Sequence, residues 1–353
     1  MLPEPPPEDA RRWLESLPER ARRCMPPPVW TYVQAGAREG VTAAEATAAW
    51  REVRFRPRVL RGVDEAGLET LILGDRYSSP LAVAPTSMQR AVHPQGERAM
   101  VAGADAAGCL HVVASNAGTR FGDLQAVRWW LQVYLPADRD DVLPVLEAAT
   151  AAGSTAAVLT VDTPHSGTKY AVHDADWTGI DLSWWRSNFD RPDSDRSSAV
   201  HLDDVAWLRE RSGLPVVVKG LLRGDDAVRS LEAGADAVYV SNHGGRQLDR
   251  SVSTARALAE VVAAVGDRCE VYVDGGVRSG LDALAALALG ARAVFVGRPA
   301  LHALAVDGAR GVERLLAELS GELADALVLA GCARPTEAPD LLAPSALPGA
   351  DLG

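Results

Sequence analysis

The stretch PVVVKGLLRGDDAVRSLEAGADAVYVSN, residues 215–242, decides the fold because it holds one complete strand–helix–strand repeat. Its two ends, PVVVKG (215–220) and AVYVSN (237–242), are apolar on both faces, which is typical of buried parallel strands. The segment between them has the alternation of polar and apolar residues expected of an amphipathic helix. This order of elements predicts parallel strands joined by a helical crossover.

The same alternation continues on both sides of this repeat, from residue 81 onward. Six further apolar runs are separated by mostly helical segments: LAVAP (81–85), HVVAS (111–115), WWLQVYL (129–135), AAVLTVD (156–162), EVYVDGG (270–276) and AVFVGRP (293–299). Eight such repeats predict an α/β fold of the (β/α)₈ or TIM-barrel type. An open doubly wound sheet is the alternative, but no GxGxxG follows an early strand.

An N-terminal helical extension is expected before the barrel. The first forty-odd residues have a helical pattern that Pro26 to Pro28 interrupt, and residues 42–53 predict another helix. FRPRVL (55–60) and the segment 70–85 predict short strands around a Gly-Asp turn. We predict a single domain over 1–353, with the barrel proper at about 81–308.

A long loop follows the fourth barrel strand, at about residues 163–201. It carries Trp177, Trp184 and Trp185, followed by the polar run RPDSDRSS. Loops of this length are usually functional or disordered, and in a barrel this one leaves the rim where active sites lie. We interpret it as a substrate lid, with an inert insertion as the alternative.

Composition and charge limit the partners of this chain. The net charge of −11 argues against nucleic acid, which demands clustered Lys and Arg. The sequence contains no run of eighteen apolar residues, so we expect no transmembrane helix. The N-terminus has no apolar segment typical of a secretory signal. The four cysteines lack CxxC spacing, so we expect no metal site, free thiols and a cytoplasmic location.

Polar residues or glycines end nearly every predicted strand, at the rim where catalytic residues of barrels cluster. These strand ends are Pro85-Thr86-Ser87, Ser115, Gln132-Val133-Tyr134, Thr160-Val161-Asp162, Lys219, Ser241-Asn242-His243, Asp274-Gly275-Gly276 and Gly297-Arg298.

The last two strand ends, DGGVRSG and GRP, predict a site for a phosphorylated ligand. Glycines let backbone N–H groups approach phosphate oxygens, and Arg298 adds a charged contact. The alternative is that these glycines only form tight turns. Lys219, at the end of an apolar strand, needs either a negative ligand atom or a nearby carboxylate.

The segment SNHGGRQLD (241–249) is the most specific signal in the chain. His243 and Arg246 follow a buried strand and are spaced to share one small ligand, with Arg246 binding a carboxylate and His243 accepting a proton. Asp162 is expected to fix the imidazole tautomer, and Tyr134 is a candidate donor to a developing oxyanion. A structural, hydrogen-bonded histidine is the alternative.

At these residues the sequence resembles the FMN-dependent 2-hydroxy acid oxidases and dehydrogenases, a family that includes glycolate oxidase, lactate oxidase and mandelate dehydrogenase. The matching stretches span residues 30–333 in the family's order: YVQAGA, RFRPRVLRGV, APTSMQRAVHPQGE, LQVY, LTVDTP, VVVKG, SNHGGRQLD, VDGGVRSG, ALALGARAVFVGRPALHALA and LAGC.

The resemblance implies a role for each matching position. His243 would be the base, steadied by Asp162, while Arg246 and Tyr32 would hold the substrate carboxylate and Tyr134 the substrate hydroxyl. Lys219 would lie beside the flavin ring. The implied FMN contacts are Pro85, Thr86, Ser87, Ser115, Gln132, Thr160, Lys219, Ser241, Asp274, Gly275, Gly276, Arg278, Gly297 and Arg298. The C2 hydrogen would leave as a hydride or as a proton, and the sequence does not choose between these routes.

Three departures from the family pattern surround the implied substrate. Lys169, in PHSGTK, stands where the family has a second carboxylate-binding arginine, and it keeps the charge without the planar fork. Asn116 replaces an aromatic that usually lines the pocket, and Ala114 replaces a hydroxyl. Ser87 replaces an Ala or Gly. We therefore count Lys169 and Asn116 among the substrate contacts and expect a polar or enlarged pocket, with the tryptophans of the lid favouring an aromatic or bulky, mandelate-like acid.

The resemblance implies FMN-dependent oxidation of a small or aromatic 2-hydroxy acid, with O₂ as acceptor and hydrogen peroxide as product. Because the lid loop is not basic, we expect no membrane association, and the resemblance implies a homotetramer. One alternative is an FMN-dependent tailoring oxidation or oxidative decarboxylation in a natural-product pathway. More distant alternatives are an FMN-dependent isomerase and a flavin-binding protein without turnover.

Overall fold

The computed structural model describes residues 8–192 and 196–343, with side chains from residue 13 onward. Its strands are β1 (Thr70–Ile72), β2 (Asp75–Tyr77), β3 (Leu81–Val83), β4 (Leu110–Ala114), β5 (Trp129–Val133), β6 (Ser154–Thr160), β7 (Val216–Leu221), β8 (Ala237–Val240), β9 (Glu270–Val273) and β10 (Ala293–Val296). Its α-helices are α1 (Glu8–Cys24), α2 (Pro27–Gln34), α3 (Val41–Trp50), α4 (Gln89–Val92), α5 (Gly96–Ala106), α6 (Leu143–Ala151), α7 (Tyr170–His173), α8 (Asp203–Ser212), α9 (Gly224–Glu232), α10 (Thr254–Val265), α11 (Gly280–Ala288) and α12 (Arg298–Leu329).

The strands β3 to β10 form a closed barrel in chain order, with β10 pairing β3 to complete the ring. All of these pairings are parallel, as in Val294↔Leu81 and Val112↔Trp130. Each of the eight apolar runs overlaps one barrel strand, so the prediction of a (β/α)₈ barrel is confirmed.

Two buried layers explain why the strands are apolar on both faces. Inside the barrel, Trp130, Tyr239, Tyr272 and Phe295 pack with ring centroids 4.7 to 6.3 Å apart. Residues of the opposite parity, such as Leu131, belong to the larger core between the strands and the helices. Successive side chains of a strand point to opposite faces, so a strand covered on both sides must be apolar throughout.

The N-terminal extension is helical, as predicted, within the described residues. Pro27 and Pro28 begin α2 rather than ending a helix, because proline fits the first helical positions. The predicted hairpin around the Gly-Asp turn is present as β1 and β2. The predicted strand FRPRVL is wrong, because this segment forms only an isolated bridge from Phe55 to Leu342.

The long loop after the fourth barrel strand runs from the end of β6 to the start of α8, and its described residues include the short helix α7. The last helix, α12, is kinked at Asp307 and Gly308, where both residues leave helical geometry. The single domain over 1–353 includes residues outside those described and stays a prediction. Within the described residues, none of the helices has the length and apolar character needed to cross a membrane.

Candidate active site

A cavity of about 340 Å³ opens at the carboxyl ends of the barrel strands. All but three of the residues proposed from the sequence lie on its wall. These are Tyr32, Pro85, Thr86, Ser87, Asn116, Gln132, Tyr134, Thr160, Lys169, Lys219, His243, Arg246, Asp274, Gly275, Gly276, Arg278, Gly297 and Arg298.

The other three, Ser115, Asp162 and Ser241, lie behind the wall. Ser241 accepts a hydrogen bond from Lys219 Nζ at 2.7 Å and donates one to Asp274 Oδ1 at 2.7 Å. Ser115 is fully buried, and its hydroxyl has no partner among the described residues. In this structure Ser241 therefore orients residues of the wall and does not itself line the cavity.

His243 lies between two groups that orient its ring. Its Nδ1 is 2.9 Å from Asp162 Oδ1, and its Nε2 is 3.3 Å from the Tyr134 hydroxyl. Burial raises the pKa of Asp162, but the facing His243, Lys219 and Thr163 outweigh it and hold this pKa below its ordinary value. Asp162 is therefore ionised at neutral pH and accepts a hydrogen bond from the Nδ1–H of His243, which leaves the Nε2 lone pair directed at the cavity.

The backbone at His243 adopts a conformation that side chains rarely take. His243 has φ +56°, and Gly244 and Gly245 follow at +64° and +73°. Gly245 also packs against α3, because a Cβ added to it would lie 2.5 Å from Ala43 N. A strained non-glycine residue at a cavity indicates a functional constraint, because the surrounding structure must hold it there.

The buried ammonium of Lys219 forms an ion pair with Asp274. Its ammonium lies 3.1 Å from Asp274 Oδ2, and the side chain is almost completely buried. Gly220 follows with φ +109°, and a Cβ there would lie 2.6 Å from Asp162 Cβ. The absence of a side chain at Gly220 therefore lets Asp162 stand beside Lys219 and behind His243.

Two arginines and two glycines form the end of the cavity near β9 and β10. Among the described residues, neither Arg278 nor Arg298 has a carboxylate within ion-pair distance. Burial, together with Arg246 and Arg278, lowers the pKa of Arg298 to about 9. A Cβ at Gly276 would lie 2.3 Å from the Ala46 carbonyl, so that loop fits closely against α3. Buried guanidiniums without carboxylates favour an anionic ligand at this end.

A neighbouring part of the cavity, beside the long loop, contains Arg246, Tyr32 and Lys169, and Arg246 and Arg298 both donate to the Ala35 carbonyl. Arg246 Nη1 donates to the carbonyls of Tyr32 and Ala35 at 2.6 and 2.9 Å, and its guanidinium lies 4.6 Å from the Tyr32 ring. Lys169 Nζ donates to the Gly167 carbonyl at 2.6 Å. Burial, Arg246 and Arg196 lower the pKa of Lys169 to about 8.

The long loop covers this end of the cavity. Of its three tryptophans, Trp185 lines the wall, Trp184 lies under Arg90, and Trp177 contacts the edge of Tyr32. Ser187 Oγ donates to the Gly118 carbonyl at 3.0 Å, which ties the loop to the segment after β4. The described part of the loop is therefore docked on the barrel rim, and its role as a substrate lid stays a prediction.

Several wall residues were not proposed from the sequence. Thr163 and Gln247 lie in the motifs LTVDTP and SNHGGRQLD, so those motifs carried a signal for them. Arg196 lies far along the lid loop in a polar run, where nothing in the sequence distinguishes it from a solvated arginine. Its guanidinium is 3.8 Å from the centre of the Tyr134 ring. In the part of the chain that the structure describes, no cluster of His, Cys, Asp and Glu is arranged to hold a metal ion.

Comparison with protein families gives one match that covers most of the chain. Residues 21–344 match the family model described as FMN-dependent dehydrogenase. Glycolate oxidase from Spinacia oleracea is 38% identical over 336 residues, which cover 88% of this chain and 90% of that protein. L-lactate oxidase from Nostoc sp. is 38% identical over 337 residues, which cover 86% and 90%.

Comparison with solved structures gives the same architecture. A crystal structure of mandelate oxidase with benzoyl-formic acid aligns with a TM-score of 0.87 and 38% identity, covering 93% of this chain and 97% of that one. A sequence identity of 38% over nearly the whole chain indicates a similarity that extends beyond the fold.

Proposed function

This chain belongs to the FMN-dependent dehydrogenase family, and we propose that it is a 2-hydroxy acid oxidase. It oxidises the C2 hydroxyl of a 2-hydroxy acid to the 2-oxo acid, and O₂ is reduced to hydrogen peroxide. The observation that carries this proposal is the imidazole of His243, set between Asp162 and Tyr134 at 2.9 and 3.3 Å in the same cavity as Arg246.

The residues of the cavity fit FMN. Arg278 and Arg298 place two guanidiniums without carboxylates at the β9 and β10 loops, as a phosphate requires. The backbone of Gly275 is fixed there by Trp50, whose Nε1 donates to its carbonyl at 2.6 Å. Lys219, buried and paired with Asp274, would hold a positive charge toward the flavin ring, which gains negative charge on reduction.

The chemistry that FMN supplies when bound is acceptance of two electrons from the substrate and their delivery to O₂. The protein supplies position and proton transfer. Arg246 and Tyr32 bind the carboxylate, since a guanidinium and a phenol suit its oxygens. His243 Nε2 accepts the hydroxyl proton in one route and the C2 proton in the other. Asp162 stabilises the imidazolium that results.

The substrate's side chain lies toward the lid in this proposal. Tyr32 and Trp185 offer aromatic surface, whereas Asn116 and Lys169 make the same end polar. Related proteins are named for glycolate, lactate and mandelate, so both small and aromatic 2-hydroxy acids belong to the proposed substrates.

The experiment is a substrate panel with the FMN-loaded enzyme. Glycolate, lactate and mandelate are supplied in air, and O₂ uptake, hydrogen peroxide and 2-oxo acid are measured together. The expected result is one peroxide and one 2-oxo acid for each O₂ consumed. Formation of a decarboxylated product instead would support the oxidative decarboxylation, and no turnover with any 2-hydroxy acid would overturn the proposal.

A cytoplasmic location and a homotetramer are also proposed. The four cysteines are all free thiols, which suits a reducing compartment. Val59, Leu60 and Leu329 are exposed near one another, since the Arg58 backbone bonds to Ala330, and association would cover them. Light scattering tests the assembly, with four times the mass of the chain expected.

A further inference from the structure

Three cations lie close together on the part of the cavity wall beside the long loop, which we call the lid end of the cavity. Lys169, Arg196 and Arg246 all line its wall. The charges of both arginines act on Lys169 and contribute to the fall of its pKa to about 8. Among the described residues, none of the three forms an ion pair with a carboxylate. Grouped, partly desolvated cations of this kind favour the binding of an anion.

Arg196 is placed in the cavity by its backbone as well as by its side chain. It forms a β-bridge with Pro136, two residues after Tyr134, and the next residue, Ser197, donates to the Leu135 carbonyl at 2.9 Å. Its guanidinium then stacks on the Tyr134 ring at 3.8 Å. The described residues give this guanidinium no hydrogen-bond acceptor, so its N–H donors are free to bind a ligand.

The charges at this end exceed what a simple 2-hydroxy acid supplies. Arg246 is matched by the C1 carboxylate, and the Lys219 ammonium is matched by Asp274. Asp162 faces His243 and becomes the counter-charge of the imidazolium after proton transfer. One carboxylate therefore does not neutralise Lys169 and Arg196 as well as Arg246, and both lie on the side proposed for the substrate's side chain.

Building on the proposed function, we propose that Arg196 and Lys169 form a second anion site, so that the preferred substrates are 2-hydroxy acids with an acidic group on the side chain. The substrate class is therefore a 2-hydroxy dicarboxylic acid. Its oxidation follows the same balance, in which the C2 hydroxyl becomes a carbonyl, both hydrogens leave, and O₂ becomes hydrogen peroxide.

The test compares acids of equal chain length with and without the second carboxylate. The pairs are malate against 2-hydroxybutyrate, and 2-hydroxyglutarate against 2-hydroxyvalerate, each as the S enantiomer. The discrimination ratio is the kcat/KM of the diacid divided by that of its partner. We expect the enzyme to favour the diacid at least about tenfold, which corresponds to about 1.4 kcal/mol.

Substitutions of Arg196 test whether this residue causes the preference for the diacid. Arg196→Gln is expected to lower the discrimination ratio at least about tenfold, and Arg196→Lys to retain most of it. The matched control is Arg191→Gln, since Arg191 belongs to the same loop but pairs with Asp141 on the surface. That control is expected to keep the ratio of the parent enzyme.

A binding measurement separates recognition from turnover. Calorimetric titration of the FMN-loaded enzyme with 2-oxoglutarate and with 2-oxovalerate is expected to show tighter binding of the diacid, and this advantage should shrink in Arg196→Gln. A discrimination ratio of one or less, or a ratio that Arg196→Gln leaves unchanged, overturns the second anion site. Oxidation of the monoacids in the same assays keeps the proposed function standing, whereas failure to oxidise any of the acids overturns that function itself.

Discussion

Asp162 Oδ1 lies 2.9 Å from His243 Nδ1, although the two residues are eighty-one positions apart in the chain. The fourth and sixth barrel strands carry them to the same rim, and the depressed pKa of Asp162 keeps it an acceptor. This contact fixes which imidazole nitrogen is available as a base.

Asp162→Asn tests that role. An amide can donate to Nδ1 and hold the imidazole in the tautomer that carries its proton on Nε2, so kcat should fall about 10²–10⁴-fold. Thr163→Val removes only the hydroxyl that donates to Asp162 at 2.9 Å, and a smaller loss is expected. Steady-state kinetics with flavin content measured beside them check both variants. Equal losses of kcat in the two variants would contradict the proposed role of the Asp162 carboxylate.

Lys169→Arg tests the electrostatics of the lid end. With its pKa lowered to about 8, Lys169 is charged below that pH and loses its charge above it. The kcat/KM of a 2-hydroxy acid should therefore decline as pH rises through about 8, because the anion meets less positive charge. Arginine stays charged, so the decline should move to higher pH. The same alkaline limb in both enzymes would contradict this account.

Gly220→Ala tests how closely the strand ends fit. The new Cβ would lie 2.6 Å from Asp162 Cβ, at a φ of +109° that alanine disfavours. Gly234→Ala is the matched control, because Gly234 has φ +102° and a Cβ added to it would meet nothing within 4 Å. Both variants should lose about 1–3 kcal/mol in the free energy of unfolding, but only Gly220→Ala should also lose kcat. Urea unfolding and turnover measure the two effects separately.

Arg278→Met tests the phosphate end. Loss of a charged hydrogen bond of about 1.5–3 kcal/mol predicts an FMN Kd about ten- to a hundredfold higher. Arg292→Met is the control, since Arg292 is exposed just before β10 and does not line the cavity. Flavin fluorescence titration of the apoprotein gives both constants. An unchanged Kd for Arg278→Met would place the phosphate elsewhere.

The barrel and most of the site follow from the sequence because both rest on local patterns. Eight runs that are apolar on both faces require two covering layers, and polar strand ends must then meet at one rim. That logic brings Asp162 and His243 together without a structure. It fails for FRPRVL, where the backbone instead bonds to the C-terminal segment through Arg56 N and the Leu341 carbonyl.

The contacts of the long loop could not be predicted from sequence patterns. Arg196 contacts Tyr134 through a long irregular loop, and no periodicity relates the two residues. Likewise, the sequence does not distinguish Ser241, which orients Lys219 from behind the wall, from a residue that lines the cavity. Such positions depend on tertiary geometry that only the folded chain supplies.

The role of His243 is tested by the rate of anaerobic flavin reduction in His243→Gln, compared with the parent enzyme at saturating 2-hydroxy acid. We expect the variant to keep its bound FMN and to be reduced about 10²–10⁴-fold more slowly, because it lacks the general base. A variant that retains its flavin and is reduced at the parent rate would contradict the assignment of His243 as the base.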